Sequence, residues 1–303
     1  MLSRREFIAT TAAVAVAPPF RAALPAVVST WSFGRAANAE AWKVLDAGGN
    51  ALDAVEKGVN QAELDPENTS VGFGGLPDED GEVTNDAILF WGPPHAVGAV
   101  GGMKRIKRPI SVARKVMEKT RHTLLVGDDA TRFAVKMGWK EEDLLTEKAR
   151  RIWEAWKKNP KRNDFWNHDT IGMVAVDAKG NVCAGTSTSG LAFKIKGRVG
   201  DVPIPGAGAY VDNDVGGVAA TGNGDVMMRF GLALMAVELM RAGKSPADAC
   251  AASLRRVEAK GYKVQACLVA LNKAGEFGAA KIGPGDFPYA IRNGALDEVR
   301  SVQ

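Results

Sequence analysis

The chain has 303 residues, 46% of them hydrophobic and 24% charged, with a formal net charge of +4. This is an ordinary globular composition, long enough to build a core without disulfide staples. Arg4, Arg5 and Arg21 against Glu6 account for half of the charge excess and fall in an N-terminal address, so the remainder does not point to nucleic acid or a membrane surface.

That address is Ser3-Arg4-Arg5-Glu6-Phe7-Ile8, a twin-arginine pattern, followed by an apolar run from Ile8 to Ala17 and then Pro18-Pro19. A run of about ten residues is too short to span a bilayer and has the length of a signal core. The expectation is an export signal over residues 1–26, cleaved between Ala17 and Ala26, and a periplasmic or secreted protein that folds before export. The basic run Lys104-Arg105-Ile106-Lys107-Arg108 reads as solvated surface. Cys183, Cys250 and Cys267 have no CxxC spacing and read as buried thiols rather than bridges. His95, His122 and His168 make no zinc pattern, so neither a metal nor a cofactor is expected.

Past the signal, Ala26 to Thr30 predicts a buried strand, and Asn38 is read as the cap of a helix through Trp42 that ends at Gly48-Gly49. A second helix is expected from Ala51 to Leu64. Val71-Gly72-Phe73-Gly74-Gly75 is too glycine-rich for a regular element and predicts a loop with unusual backbone angles or close approach. Strands are expected over Val83–Trp91 and His95–Val100, and helices over Ile110–Lys119 and Asp128–Met137. The polar stretch 139–167, broken by Asn159-Pro160, reads as an exposed linker. Beyond it, Ile171–Val176 and Val182–Ser187 form a hairpin across Asp177-Ala178-Lys179-Gly180. Val226–Met240 reads as one buried helix, and a further helix starts at the cap Ser245 with Pro246 after it. Val264–Leu271 and Phe277–Ile282 read as strands. Strands in adjacent pairs, separated by helical pairs, indicate mixed α/β with antiparallel sheet.

Most catalytic patterns fail. Gly206-Ala207-Gly208 does not extend to GxGxxG, no phosphate-binding GK[ST] loop exists, and Gly185-Thr186-Ser187-Thr188-Ser189-Gly190 misses the GxSxG elbow by one residue. Hydroxyls and glycines remain, concentrated between Thr170 and Gly222. A threonine hydroxyl needs a base, and the α-amine of Thr170 would supply one only if Thr170 began a chain. A free α-amine titrates near ~8, close to the working range, whereas an amide has no basicity. A catalytic Thr170 therefore requires a cut at Asp169-Thr170; without one, it merely opens a strand.

The run His168-Asp169-Thr170-Ile171-Gly172-Met173-Val174 resembles the processing site of glycosylasparaginases, which are N-terminal-nucleophile hydrolases. Gly185–Gly190, Gly197-Arg198-Val199-Gly200-Asp201, Pro205-Gly206-Ala207-Gly208 and Ala220-Thr221-Gly222-Asn223-Gly224-Asp225 match in order. So do Ser29-Thr30-Trp31, Ala41–Leu45, Ala51–Glu56 and Val71–Gly75 upstream, and the likeness covers almost everything after the signal. It implies a four-layer αββα sandwich of one catalytic domain, cut into an α chain (27–169) and a β chain (170–303) that pair as a dimer of heterodimers. The implied reaction is hydrolysis of N4-(β-N-acetylglucosaminyl)-L-asparagine to aspartate and the glycosylamine. The resemblance makes Thr170 the nucleophile, Thr221 with the Gly222 N–H the oxyanion hole, and Arg198 and Asp201 the readers of the substrate α-carboxylate and α-ammonium. It makes Thr188 the residue orienting the nucleophile and Trp31 a pocket wall, while His168 and Asp169 join Thr170 in self-cleavage.

Two departures stand out. Val202-Pro203 replaces the usual Ser-Pro after GRVGD, removing a hydroxyl beside the zwitterion reader, and Asn85-Asp86-Ala87 replaces Leu-Asp-Ala. An isoaspartyl dipeptidase or L-asparaginase on the same scaffold is the near alternative, although His168–Met173 differs from that branch's Gly-Thr-Val-Gly. A non-catalytic periplasmic binding protein for asparagine conjugates is the distant one.

Overall fold

Side chains that alternate between two buried environments build two sheets lying face to face. The computed structural model describes residues 15–16, 20–21, 24–160 and 169–302. In chain order these are β1 (Ala15–Val16), β2 (Phe20–Arg21), β3 (Ala26–Thr30), α1 (Gly34–Asp46), α2 (Ala51–Glu63), β4 (Thr84–Trp91), β5 (Ala96–Lys104), α3 (Pro109–Lys119), β6 (Leu124–Val126), α4 (Gly127–Lys136) and α5 (Glu147–Lys157). There follow β7 (Ile171–Val176), β8 (Val182–Thr188), β9 (Ala209–Asp212), β10 (Gly216–Gly222), α6 (Gly224–Met227), α7 (Leu232–Arg241), α8 (Pro246–Glu258), β11 (Ala266–Asn272), β12 (Glu276–Ile282), β13 (Phe287–Asn293) and β14 (Asp297–Val302).

Among the described residues the larger sheet runs β14-β13-β3-β7-β8-β4-β5-β6 and the smaller β1-β12-β11-β10-β9, with β2 also on β12. The pairing is antiparallel except between β5 and β6. Along β7, Ile171, Met173 and Ala175 pack under the helices with Val55, Val59 and Ile110. Val174 and Val176 point the other way, into a second core shared with Ala219, Val269 and Phe277 of the smaller sheet. A third core joins the far face of that sheet, through Val218 and Leu268, to Leu232, Val237 and Leu254 of α7 and α8. Three apolar interfaces define four layers, αββα, the expected sandwich. Each fully buried aliphatic side chain contributes roughly 1.5–3 kcal/mol toward holding them together.

Several elements differ from the sequence expectation. Helix α1 starts at Gly34, and Asn38 lies inside it as a buried acceptor for the Ser29 hydroxyl at 2.8 Å rather than as its cap. The single helix expected over 226–240 is broken, because Gly231 takes a left-handed φ of 58° between α6 and α7. The polar stretch after 139 contains α5, capped by the Thr146 hydroxyl on the Ala149 N–H. Its Trp153 donates to the Glu79 carbonyl (3.3 Å), and its Trp156 stacks on Phe193 at 4.5 Å. Polar composition concealed an amphipathic face built from two tryptophans. The twin-arginine pair of the expected signal lies outside the described residues, as does His168.

A buried carboxyl ties α2 to the start of α3. Glu63, at the end of α2, is fully buried, and its Oε1 accepts the Ile110 N–H at 2.9 Å, while Oε2 has no hydrogen-bond partner among the described residues. Burial pushes its pKa from 4.5 up to about 8. The folded state therefore keeps a proton that the unfolded chain releases above 4.5, so this residue lowers stability as pH rises from 4.5 to about 8 and adds no slope beyond. Glu63→Gln retains an acceptor for Ile110 and removes the titration. Urea unfolding should show the variant gaining on the wild type between pH 5 and pH 8, by about 1.4 kcal/mol per unit of pKa shift expressed. An identical pH dependence in both proteins would contradict a protonated Glu63.

Candidate active site

Strand parity gathers the threonines. Gly172 faces the opposite sheet, where an added Cβ would stand 2.9 Å from the Ala219 Cβ, and the two-residue period puts Thr170 on the same side. By the same count Thr30 follows Val28, Thr186 and Thr188 follow Ala184, and Thr221 follows Ala219 into the space between the sheets. All of these threonines are buried, Thr170 at 4% exposure.

Hydrogen bonds then order them. Trp31 ends β3 in a left-handed conformation, φ 63°, which turns the chain away from β7. The Thr30 hydroxyl takes over the ladder at that point, donating to the Thr170 carbonyl (2.5 Å) and accepting the Gly172 N–H (2.8 Å). The Thr170 N–H crosses to the other sheet and donates to Thr221 Oγ1 at 3.1 Å. The Trp31 indole N–H donates to the same oxygen, also at 3.1 Å. With both acceptor positions used, the Thr221 hydroxyl keeps its own proton to give. Gly222, next along β10, has φ 127°, and a Cβ there would meet the Gln265 carbonyl oxygen at 2.5 Å, so only glycine fits. Thr188 neighbours this group one residue beyond the Ile171–Ser187 pair. Its hydroxyl, however, donates to the Ser70 carbonyl (3.3 Å) and accepts the Gly190 N–H (2.9 Å) rather than bonding Thr170.

The expected glycine-rich loop is confirmed and serves this region. Gly72 and Gly74 have φ of 64° and 103°, and Gly75 leaves room for the Ser189 side chain. Ser189 in turn donates its backbone N–H to Ser70 and its hydroxyl to Asn85 Oδ1 at 3.0 Å, so the Asn85 departure has an internal partner.

Arg198 and Asp201 lie beside the Thr221 segment. A Cβ on Gly224 would run into Asp201 Oδ1 and stand 3.3 Å from Arg198 Nη2. Asp201 is 5% exposed, and its Oδ2 is buried without a hydrogen-bond partner among the described residues. Burial pushes its pKa up to about 6 against the pull of Arg198. A buried carboxylate oxygen without a hydrogen bond is costly. Arg198 is held by Asp225, Nε to Oδ1 at 3.2 Å and Nη2 to Oδ2 at 3.1 Å. Val202 is 1% exposed; an apolar contact in the interior stands where a hydroxyl was expected beside the reader. Asp169 is partly buried, which pushes its carboxyl up to about 6.

Four participants escaped the sequence reading of roles. Thr30 and Asp225 lie within the Ser29-Thr30-Trp31 and Ala220–Asp225 motifs, but what they touch is set by the fold. Asp86 is buried and accepts the Gly102 N–H at 2.7 Å, at the base of the Arg198 loop. Lys194 lies between motifs, 3% exposed, with its ammonium donating to the Ser189 (2.6 Å) and Thr84 (3.3 Å) carbonyls. Burial pushes Lys194 down to about 8.

A cross-sheet threonine pair beside an arginine and an unpaired aspartate suits attack on an amide attached to a zwitterionic amino acid. The asparaginase family profile matches residues 20–299. An N(4)-(beta-N-acetylglucosaminyl)-L-asparaginase of Elizabethkingia miricola is 46% identical, covering 96% of this chain and 92% of the relative. A rat protein of the same name is 46% identical over 85% of this chain and 84% of its own, and a mouse one 44% identical with the same coverage. The chain therefore belongs to the asparaginase family of amidohydrolases, alongside these glycosylasparaginases.

Proposed function

We propose that this protein is a glycosylasparaginase that hydrolyses N4-(β-N-acetylglucosaminyl)-L-asparagine after cutting itself between Asp169 and Thr170. The observation that carries the reading is the convergence of the Thr170 nitrogen and the Trp31 indole on Thr221 Oγ1, beside a buried Asp201 whose Oδ2 lacks a hydrogen-bond partner among the described residues. In the intact chain the Thr170 hydroxyl attacks the Asp169 carbonyl, the peptide C–N bond breaks, and the nitrogen leaves as the new α-amine. Water then opens the resulting ester and frees the hydroxyl. His168 assists this cut.

In the mature site the α-amine takes the Thr170 proton, and the oxygen adds to the side-chain amide carbonyl of the substrate. Thr221 Oγ1–H and the Gly222 N–H stabilise the oxyanion; losing one such donor costs roughly 100- to 1000-fold in rate. The glycosylamine departs with a proton, and water hydrolyses the β-aspartyl ester to release aspartate. Arg198 binds the substrate α-carboxylate as a planar two-donor fork, and Asp201 binds the α-ammonium. Trp31 walls the site while anchoring Thr221, and Thr188 orients the segment around Ser70 and Gly190. Export through the twin-arginine route and assembly as a dimer of heterodimers complete the proposal.

Purified protein should run as two chains, the smaller beginning Thr170-Ile171-Gly172, and Thr170→Ala should stay a single inactive chain. An intact wild-type chain that turns over substrate would overturn the mechanism; an intact chain that only binds would favour a binding protein.

Lys in place of both Arg4 and Arg5 should retain the protein in the cytoplasm, folded and cut. Unchanged export of that variant, measured by cell fractionation, would contradict the address.

The zwitterion reader predicts that glycosylated asparagine inside a peptide resists hydrolysis, because blocking either terminus leaves Arg198 or Asp201 unpaired at a cost of several kcal/mol. Free glycoasparagine should exceed β-aspartyl dipeptides in kcat/KM, with some activity on both. A clear preference for the dipeptides would assign the isoaspartyl branch instead.

A further inference from the structure

We infer that Asp225 is a positioning residue that fixes which edge of the Arg198 guanidinium meets the substrate α-carboxylate, an inference that rests on Arg198 being the reader of that group. A guanidinium offers two edges with paired donors, the side edge Nε/Nη2 and the end edge Nη1/Nη2. Asp225 holds the side edge with both oxygens, at 3.2 and 3.1 Å. A substrate carboxylate must therefore approach the end edge.

Glycines pack directly against the guanidinium and hold it in this orientation. An added Cβ would stand 3.1 Å from Nη1 at Gly190, 3.0 Å from both Nη1 and Nη2 at Gly200, and 3.3 Å from Nη2 at Gly224. Gly190 also has a φ of 74° that favours glycine. Gly200 and Gly224 lie outside the left-handed region; the space they leave is filled by the Arg198 guanidinium and, at Gly224, by the Asp201 carboxylate, so both positions fix where the guanidinium stands. The charges agree with this direction. The buried Lys194 ammonium borders Gly190, 2.7 Å from the same added Cβ, and places a second cation on the Nη1 side, while the Asp225 carboxylate balances the opposite side. An incoming carboxylate is attracted to the end edge and repelled from the side edge.

Asp225 also sets where the guanidinium stands. It lies in the first turn of α6, capped by the Asn223 side chain on the Val226 N–H, three residues after Gly222. One short segment thus carries the oxyanion donors and the anchor of the carboxylate reader. The ion pair fixes the span between the two ends of the substrate.

The experiment compares kcat/KM for glycoasparagine and its α-carboxamide in the matured wild type, Asp225→Asn and Asp225→Glu, with two-chain maturation and thermal unfolding confirming the fold of each. Wild type should discriminate strongly. Asp225→Asn should lose roughly 10- to 100-fold of that discrimination, as expected for losing charged hydrogen bonds, with KM for glycoasparagine rising more than kcat falls. Asp225→Glu, which still presents a carboxylate to Nε and Nη2, should recover part of it. A purely structural defect would lower both substrates together and leave the ratio intact, so a wild-type ratio in Asp225→Asn overturns the inference. If Asp225→Asn does not mature, Asp225→Ser replaces it under the same criterion. A wild type that cleaves both substrates equally overturns the Arg198 reading itself, and this inference with it, before any variant is compared.

Discussion

The hydrogen bond from the Thr170 nitrogen to the Thr221 hydroxyl spans the two sheets, and the site depends on that span. Trp31 directly follows β3 and Thr170 directly precedes β7 of the larger sheet, while Thr221 lies in the smaller, so the distance between them is set by the apolar layer in which Val28, Val174, Ala219 and Val269 meet. Close packing makes this separation stiff, since a core at crystal-like density does not expand continuously. The small residues along the contact, Gly172 against Ala219 and Gly217 against Val174, let the sheets approach closely enough for side-chain hydroxyls to bond across them. The fold thus acts on the chemistry through a distance.

The same arrangement shows how one hydroxyl can serve two reactions in the proposed mechanism. Before the cut, Thr170 is held by the backbone on both sides of its Cα, with its carbonyl bonded to Thr30 and its N–H to Thr221. Breaking the bond to Asp169 converts that N–H donor into an amine without moving the anchors on Thr30, Trp31 and Thr221. The nucleophile, its base and the oxyanion donor are then already assembled. Beside this site the Asp169 carboxyl is partly buried, which pushes its pKa up to about 6.

Much of this was legible in the sequence, for reasons that can be named. The hairpin Ile171–Val176 and Val182–Thr188 follows from β-branched alternation around Asp177 and Gly180, and the glycine run 71–75 announces its own backbone demands. Strands β9, β10, β13 and β14 were not expected. Gly216–Gly222 is mostly glycine and alanine, with only Val218 and Thr221 between them, and such poor strand formers suit a central strand only when both faces are tightly packed. Pro288 lies on β13 just beyond its pairing with β3, which begins at Tyr289, and the charges of Asp297–Val302 lie on the edge strand β14, so both residue types are tolerated there and obscured the pair. The break at Gly231 was hidden because the apolar pattern continues through it, and only the left-handed turn stops the helix. Within the site, motif likeness named Thr170, Thr221, Gly222, Arg198 and Asp201, but the supporting contacts of Thr30, Lys194 and Asp225 depend on strand register and loop path, which a linear pattern does not contain.

The central claim is that Thr170 forms the covalent bond to substrate. Matured enzyme quenched in acid during turnover of glycoasparagine, then digested and analysed by mass spectrometry, should carry a β-aspartyl ester on the peptide that begins with Thr170. An adduct on any other residue, or rapid turnover with the Thr170 hydroxyl chemically blocked, would contradict the account.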